Sequence, residues 1–121
     1  MLERYSFVAI TTRDLAAARH FWAEQLGFLV VEERRDDYFI VDAGGLRLAV
    51  DLADGENHKT GSTDPVIGFK VSSVAEVLED LRERGWYEDL VHKVADTHAI
   101  LHDPDGRAVV MTERDRPLSP T

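Results

Sequence analysis

The stretch FVAITTRDLAAARHFWAEQLGF, from Phe7 to Phe28, decides the fold of this chain. Its first residues, Phe7 to Thr12, are an apolar strand, and Asp14 is a favoured N-cap because its carboxylate can accept a backbone N–H of the first helical turn. Apolar residues then recur at the spacing of one helix face, at Leu15, Ala18, Trp22 and Leu26. Gly27 ends the helix, since glycine adopts the left-handed conformation at little cost. The pattern predicts a strand, a helix and a second strand at Phe28–Val31.

The same pattern returns in the second half, from Pro65 to Trp86. Val66 to Val71 is predicted as a strand, and Ser73 stands three residues before Glu76, which is the spacing of a capping box. One face of the helix that follows carries Val74, Val77, Leu78 and Leu81. Gly85 ends this helix, 58 residues after the glycine that ends the first. The repeat predicts a fold built from two copies of one unit.

Further strands complete each copy. In the first, a charged segment at residues 32–37 leads to a strand at Tyr38–Asp42, a Gly44-Gly45 turn, and a strand that buries Leu46, Leu48 and Val50 on one side. In the second, residues 86–96 are predicted as one strand and a loop, and strands follow at His98–His102 and Ala108–Thr112. Between these two strands, Asp103-Pro104-Asp105-Gly106 has the composition of a type I turn.

Each half is therefore predicted as β-α-β-β-β, within one α+β domain. The first module covers about residues 5–52, and residues 53–64 form a linker of turn-like composition. The second module covers about residues 65–114, and a frayed tail, residues 115–121, is expected to follow.

Composition narrows the classes of function. The chain has 121 residues, is 44% hydrophobic, and carries a formal net charge of −9, which argues against nucleic acid and anionic membrane surfaces and permits a cationic partner. There is no cysteine, so disulfides and thiolate chemistry are excluded and a reducing cytoplasm is the expected location. No long apolar run predicts a signal peptide or a membrane span.

Four short motifs carry a resemblance to a known family. They are Arg13-Asp14-Leu15, Phe21-Trp22, Leu26-Gly27-Phe28 and Asp103-Pro104-Asp105-Gly106. On these motifs the chain resembles the vicinal oxygen chelate superfamily, the group of glyoxalase I, extradiol dioxygenases and bleomycin-resistance proteins, over roughly residues 5–114. The resemblance implies that the two modules pair their mixed sheets into a cup that holds the ligand.

The resemblance also locates four positions that bind a divalent metal in the family's enzymes. In this chain they are occupied by Phe7, Ala49 (or Arg47 if the register slips), Val66 and Val110. None of these side chains offers the oxygen or imidazole donors that such ions require. We therefore expect no metal and no cofactor.

Histidines elsewhere do not replace these ligands. His98 and His102 share one strand face about 13 Å apart, four residues at roughly 3.3 Å each, which is too far for one ion. The two histidines either line the cup or are simply exposed, and the sequence leaves both interpretations open.

Ligand-binding candidates follow from the cup. By resemblance to bleomycin-binding members, Tyr38 is a candidate to stack on a flat ligand, and the alternative, a partly buried strand tyrosine, stays open. Trp86 follows a helix-ending glycine and is a candidate for the core or the cleft rim. The predicted lining is Phe7, Tyr38, Arg47, Ala49, Asp51, Val66, Lys70, Trp86, His98, His102 and Val110. If Arg47 and Lys70 both point inward, a carboxylate or phenolate becomes a better ligand than a cation.

Three functions are compatible with this pattern. The first is a metal-free protein that sequesters a flat aromatic or cationic compound, as resistance proteins of the family do. The second is an enzyme that works without the family's metal, through groups such as Asp51, Lys70, His98 and His102, since proton transfer needs only one or two positioned groups. The third is an interaction or regulatory role. No catalytic residue is assigned, and the resemblance implies a homodimer.

Overall fold

The computed structural model describes residues 7–53 and 66–113. Its first half contains β1 (Phe7–Thr12), α1 (Leu15–Arg19) running directly into a π-helix (His20–Gln25), β2 (Leu29–Arg34), β3 (Tyr38–Ala43) and β4 (Leu46–Leu52). Its second half contains β5 (Ile67–Lys70), α2 (Val74–Glu83), α3 (Tyr87–Leu90), β6 (Val91–Ala95), β7 (His98–His102) and β8 (Ala108–Thr112). Over these ranges, no helix is long and apolar enough to cross a membrane.

Two four-stranded sheets have the same topology. The strand orders are β1-β4-β3-β2 and β5-β8-β7-β6, and in each sheet the first pair is parallel while the other two are antiparallel. The chain divides into two compact units, the first with β1–β4 and the turn residues Pro104–Gly106, the second with β5–β8. The predicted α+β class, with two β-α-β-β-β modules, is confirmed.

The first helix begins as predicted and then departs from α-geometry. Asp14 caps it by accepting the Ala17 N–H at 3.0 Å. Beyond Arg19 the turn widens, so that the Leu26 N–H donates to the Phe21 carbonyl at 2.9 Å, five residues back. The prediction of one continuous α-helix was wrong. The wider turn accompanies complete burial of the adjacent Phe21 and Trp22 side chains, two neighbours that a single apolar stripe would not bury together.

The second helix is capped from two directions. Ser73 Oγ accepts the Glu76 N–H at 3.1 Å, as the capping-box spacing predicted. The Val74 N–H donates to the Glu113 carboxylate at 2.8 Å, a contact across 39 residues that no local pattern predicts. The helix buries Val74, Leu78 and Leu81.

Three predicted boundaries need correction. The second strand runs over Leu29–Arg34 instead of Phe28–Val31, because the charged residues beyond a bulge after Val30 also pair with β3. The first strand of the second module is Ile67–Lys70, shorter than predicted. Residues 86–96 contain the short helix α3 in addition to a strand. The predicted tail and nearly all of the predicted linker lie outside the described residues.

Each sheet has a core face and an opposite face, here called the distal face. In β3, Phe39, Val41 and Ala43 are buried on the core face, whereas the alternating Tyr38, Ile40 and Asp42 are only half-buried. In β7, Ala99 and Leu101 are fully buried and His98, Ile100 and His102 alternate with them. The distal faces therefore carry the polar side chains that could meet a ligand.

Candidate functional site

The distal face of the first sheet brings four predicted site residues together. The strand register pairs Tyr38 with Asp51, Ile40 with Ala49, and Asp42 with Arg47. Ala49 is 5% exposed, and the other five side chains are half-buried. Directly paired residues lie close enough for their side chains to interact. The result is a surface with an apolar middle row, Ile40 and Ala49, between two polar rows.

Tyr38 is held on this surface by a neighbouring carboxylate. Its hydroxyl donates a hydrogen bond to Glu32 on β2. This hydrogen bond, followed by desolvation and the negative charge of Glu32, raises the pKa of Tyr38 above its ordinary value, while Arg34 opposes the shift. The phenol is therefore fixed and neutral at physiological pH, which suits a residue that presents its ring to a ligand.

The raised pKa of Tyr38 makes a testable prediction. We expect its phenol to ionise above the ordinary tyrosine value of about 10, and Glu32→Gln to return the pKa towards that value. The pKa of Tyr38 is higher in the folded state than in the unfolded state. Its contribution to folding stability is therefore fully present below the unfolded-state pKa and is lost as the pH rises through the folded-state pKa. NMR titration of the tyrosine ring carbons, assigned with Tyr38→Phe, measures both effects. A Tyr38 that ionises below the unfolded value would contradict this account.

The distal face of the second sheet also gathers predicted residues. Val110 of β8 pairs with Gly68 and Ile100, Thr112 pairs with Lys70 and His98, and Ala108 pairs with His102. Lys70 and His98 are thus opposite the same threonine, and His102 lies at the other end of the strand. The sheet places both predicted histidines on the face that carries Val110.

A ring pair on this sheet was missed by the sequence interpretation. The imidazole of His92 contacts that of His102, with ring centroids 4.5 Å apart and planes at 87°. His92 is the extra residue of a bulge between Val91 and Lys93, and such bulges re-aim a side chain. The sequence placed His92 in a region predicted only as strand and loop, so its register with β7 had no local signal.

Three other predicted residues occupy different settings. Phe7 begins β1, and its backbone pairs with Arg47. Val66 precedes β5 and is 61% exposed. Trp86 lies between α2 and α3 instead of on a strand, and the Arg84 guanidinium stands over its ring at 4.2 Å. One face of the Trp86 ring is therefore already covered by a cation.

The family's metal does not fit the residues that stand at its four positions. Ala49 and Val110 lie on distal faces, and Phe7 and Val66 lie at the starts of the parallel strands, but none has a donor atom. Arg47, the alternative position, carries a permanent positive charge that opposes a cation. Within residues 7–53 and 66–113, no group of three or more His, Asp or Glu side chains could hold an ion instead.

A buried ion pair in the second unit was also missed. Arg107 and Asp103 have side chains that are 0% and 1% exposed, and the guanidinium donates to the carboxylate. The same carboxylate accepts the Arg107 backbone N–H at 2.8 Å. The sequence showed Asp103 as the first residue of a turn. The sequence signal for the pair was the arginine four residues after Asp103, since a turn between them can bring the two side chains together.

Asp105, the second aspartate of that turn, belongs to the first unit. Its carboxylate accepts the Arg13 backbone N–H at 3.0 Å and lies 3.5 Å from the Arg13 guanidinium. The side chain of Asp105 is 3% exposed. The motif therefore uses both of its carboxylates in structural contacts.

A shallow pocket of about 180 Å³ lies elsewhere in the first unit, between the start of α1 and the turn that joins β2 to β3. Its charged lining includes Arg19, Arg34 and Arg35. Glu33 already binds Arg19 at 2.8 Å, and the pocket shares only Tyr38 with the predicted site. The pocket therefore adjoins the distal face at Tyr38.

Comparison with protein families identifies the fold's relatives. Residues 4–111 match the family described as the Glyoxalase/Bleomycin resistance protein/Dioxygenase superfamily. The chain belongs to this superfamily. The resemblance seen in the four sequence motifs is thus confirmed. No curated protein matches the chain.

Solved structures show the same fold at low identity. The antibiotic binding protein TnmS3 from Streptomyces sp. CB03234 is 20% identical, with a TM-score of 0.66 over 92% of this chain and 95% of that one. A lactoylglutathione lyase from Agrobacterium tumefaciens is 17% identical, with a TM-score of 0.63 over 91% and 93%. A glyoxalase family protein from Enterococcus faecalis is 24% identical, with a TM-score of 0.67 over 92% and 98%. At these identities the comparison concerns the fold alone.

Proposed function

We propose that this superfamily member is a metal-free small-molecule-binding protein that takes up a flat, partly aromatic compound, neutral or cationic, through the distal face of its first sheet. The observation that carries the proposal is the arrangement of Tyr38, Ile40, Ala49 and Asp51 on that face. It combines a fixed aromatic ring, an apolar row and a carboxylate in place of metal ligands.

The chemistry of this surface supports a planar ligand. Ile40 and Ala49 offer dispersion and hydrophobic contact, worth about 25 cal/mol per Å² of apolar area buried. Tyr38 can add roughly 0.5–1.5 kcal/mol by stacking on an aromatic group. Micromolar affinity requires about −8 kcal/mol, so the protein must also bury most of the ligand.

The charges on the same face support a neutral or cationic ligand over an anionic one. Three carboxylates lie on or next to this face: Asp42 pairs with Arg47, Asp51 pairs with Tyr38, and Glu32 accepts the Tyr38 hydroxyl. Arg34 of β2, which pairs with Tyr38, carries a positive charge that opposes binding of a cation. The net charge of −9 favours cations over the whole surface.

Titration against a panel of bleomycin-like, anthraquinone and flavin compounds, followed by tryptophan fluorescence, tests the proposal. We expect at least one micromolar binder, and we expect Tyr38→Ala to weaken it by roughly threefold to tenfold, the loss of one stack. Tyr87→Ala is the matched control, because Tyr87 lies in α3 with Arg82 over its ring at 4.2 Å. Preference for small anionic metabolites, unchanged by Tyr38→Ala, would refute the proposal.

A metal-free enzyme is the second candidate. It is favoured by Lys70 and His98, which stand opposite the same residue, Thr112, on the distal face of the second sheet. Such groups could transfer protons without a metal. Turnover of a panel compound with a pH-dependent rate that His98→Gln abolishes would favour this candidate over simple binding.

The proposal includes a homodimer and a cytoplasmic location. The dimer is suggested by the superfamily's two-module architecture, which this chain shares. The location is suggested by the absence of cysteine from the sequence.

A further inference from the structure

The contact between His92 and His102 lies outside the surface proposed for the ligand. His92 lies on the edge strand β6 and is exposed, while His102 ends β7 and is half-buried. Their ring centroids are 4.5 Å apart. Two imidazoles this close, with one reaching solvent, have the composition of a partial metal site.

The distance between the two ring centres can be compared with the distance expected when two imidazoles bind one metal ion. A metal–nitrogen bond of about 2.0 Å places an imidazole centre about 3.2 Å from the ion. Two such rings at a cis angle of 90° then have centres about 4.5 Å apart, whereas a tetrahedral angle gives about 5.2 Å. The observed 4.5 Å matches the cis arrangement. The 87° between ring planes is compatible with it, since each ring can rotate about its own metal–nitrogen bond.

We propose that His92 and His102 form a two-imidazole site for a tetragonal divalent ion, copper(II) first and nickel(II) second. A cis pair of nitrogens is a normal part of square-planar and tetragonal coordination, and copper(II) has the highest affinity of the first-row divalent ions for nitrogen ligands. The remaining coordination positions belong to water or to an external chelating ligand, because no third His, Asp or Glu joins these two in the residues that the structure describes.

This site is separate from the family's metal positions. His92 and His102 belong to β6 and β7, whereas the four positions without donors fall on or next to β1, β4, β5 and β8. The site therefore neither restores the family's chemistry nor depends on the proposed ligand. With only two protein ligands, the ion should exchange with solvent and be lost on dialysis against a chelator.

Calorimetric titration of copper(II) into the tag-free full-length chain tests the site, with electron paramagnetic resonance of the loaded protein as a second measurement. We expect one equivalent to bind, with hyperfine structure from two imidazole nitrogens, and tighter binding of copper(II) than of zinc(II). His92→Gln and His102→Gln should each weaken copper binding by roughly tenfold or more, because each removes one of two ligands.

Two histidine variants serve as matched controls. His98→Gln removes an imidazole from the same strand face as His102, and His20→Gln removes the histidine that contacts Glu24 in the first unit. Both should leave the affinity unchanged, and circular dichroism checks that each variant is folded. Copper binding that survives His92→Gln and His102→Gln, or that is lost equally in the controls, would overturn the proposal.

Discussion

Replacing Arg107 with methionine is expected to lower the free energy of unfolding by about 3–5 kcal/mol, the cost of breaking a buried ion pair from one side. The substitution leaves the Asp103 carboxylate charged at a site where its side chain is 1% exposed. A typical domain has only about 5–15 kcal/mol of stability, so the loss should be evident in urea denaturation.

Two further variants separate the buried charge from other effects. Arg34→Met removes the exposed partner of Asp37, whose ion pair has side chains 76% and 59% exposed, and should cost less than about 1 kcal/mol. Adding Asp103→Asn to Arg107→Met removes the stranded charge but keeps an oxygen for the Arg107 backbone N–H, and should recover part of the loss. Equal costs for Arg107→Met and Arg34→Met would contradict this account of the turn.

Replacing Trp22 with alanine should also destabilise the fold by about 3–5 kcal/mol, because it removes a large, fully buried side chain and leaves a cavity. The indole makes an edge-to-face contact with Phe21 at 4.9 Å and stacks on Phe28 at 6.3 Å. All three residues belong to the π-helix and the turn that follows it. The loss should therefore be accompanied by disorder in this segment, visible as faster amide exchange.

Trp86→Ala is the control for the loss of Trp22. Trp86 is half-buried, with Arg84 over its ring, so its removal creates less cavity and should cost less than about 2 kcal/mol. An equal loss of stability in both variants would contradict the large contribution assigned to the buried Trp22 side chain.

The helix starts and stops could be predicted because their chemistry is local. Asp14 and Ser73 each accept an N–H from three residues ahead, so neighbouring sequence is sufficient to recognise them. Gly27 and Gly85 both have positive φ, at 77° and 79°, as their place at the helix ends requires. The repeat of these signals identified the two modules.

The π-helix could not be predicted because its cause is tertiary. The spacing of Trp22 and Leu26 fits one face of an ordinary α-helix, and residues 15–26 contain no proline or glycine that would disturb that helix. The widened turn coincides with full burial of both Phe21 and Trp22. No local pattern in the sequence shows that both neighbouring rings are buried together.

Which side chains share a strand face could be predicted from alternation, whereas contacts that depend on strand register could not. Alternation correctly put His98 and His102 on one face of their strand, opposite the buried Ala99. The contact of His92 with His102 depends on a bulge in a hairpin register that the sequence does not specify. Whether the predicted lining residues bind a ligand is a prediction that the titrations address.

The most direct test of metal-free binding is to titrate the tightest compound of the panel into protein prepared with and without exhaustive treatment with a metal chelator. The proposed surface uses Tyr38, Ile40, Ala49 and Asp51, none of which needs an ion to contact a flat ligand. The account predicts the same dissociation constant in both preparations, within about twofold, a difference of less than about 0.5 kcal/mol. An affinity that falls at least tenfold after chelation, and returns when a divalent metal is added, would contradict it.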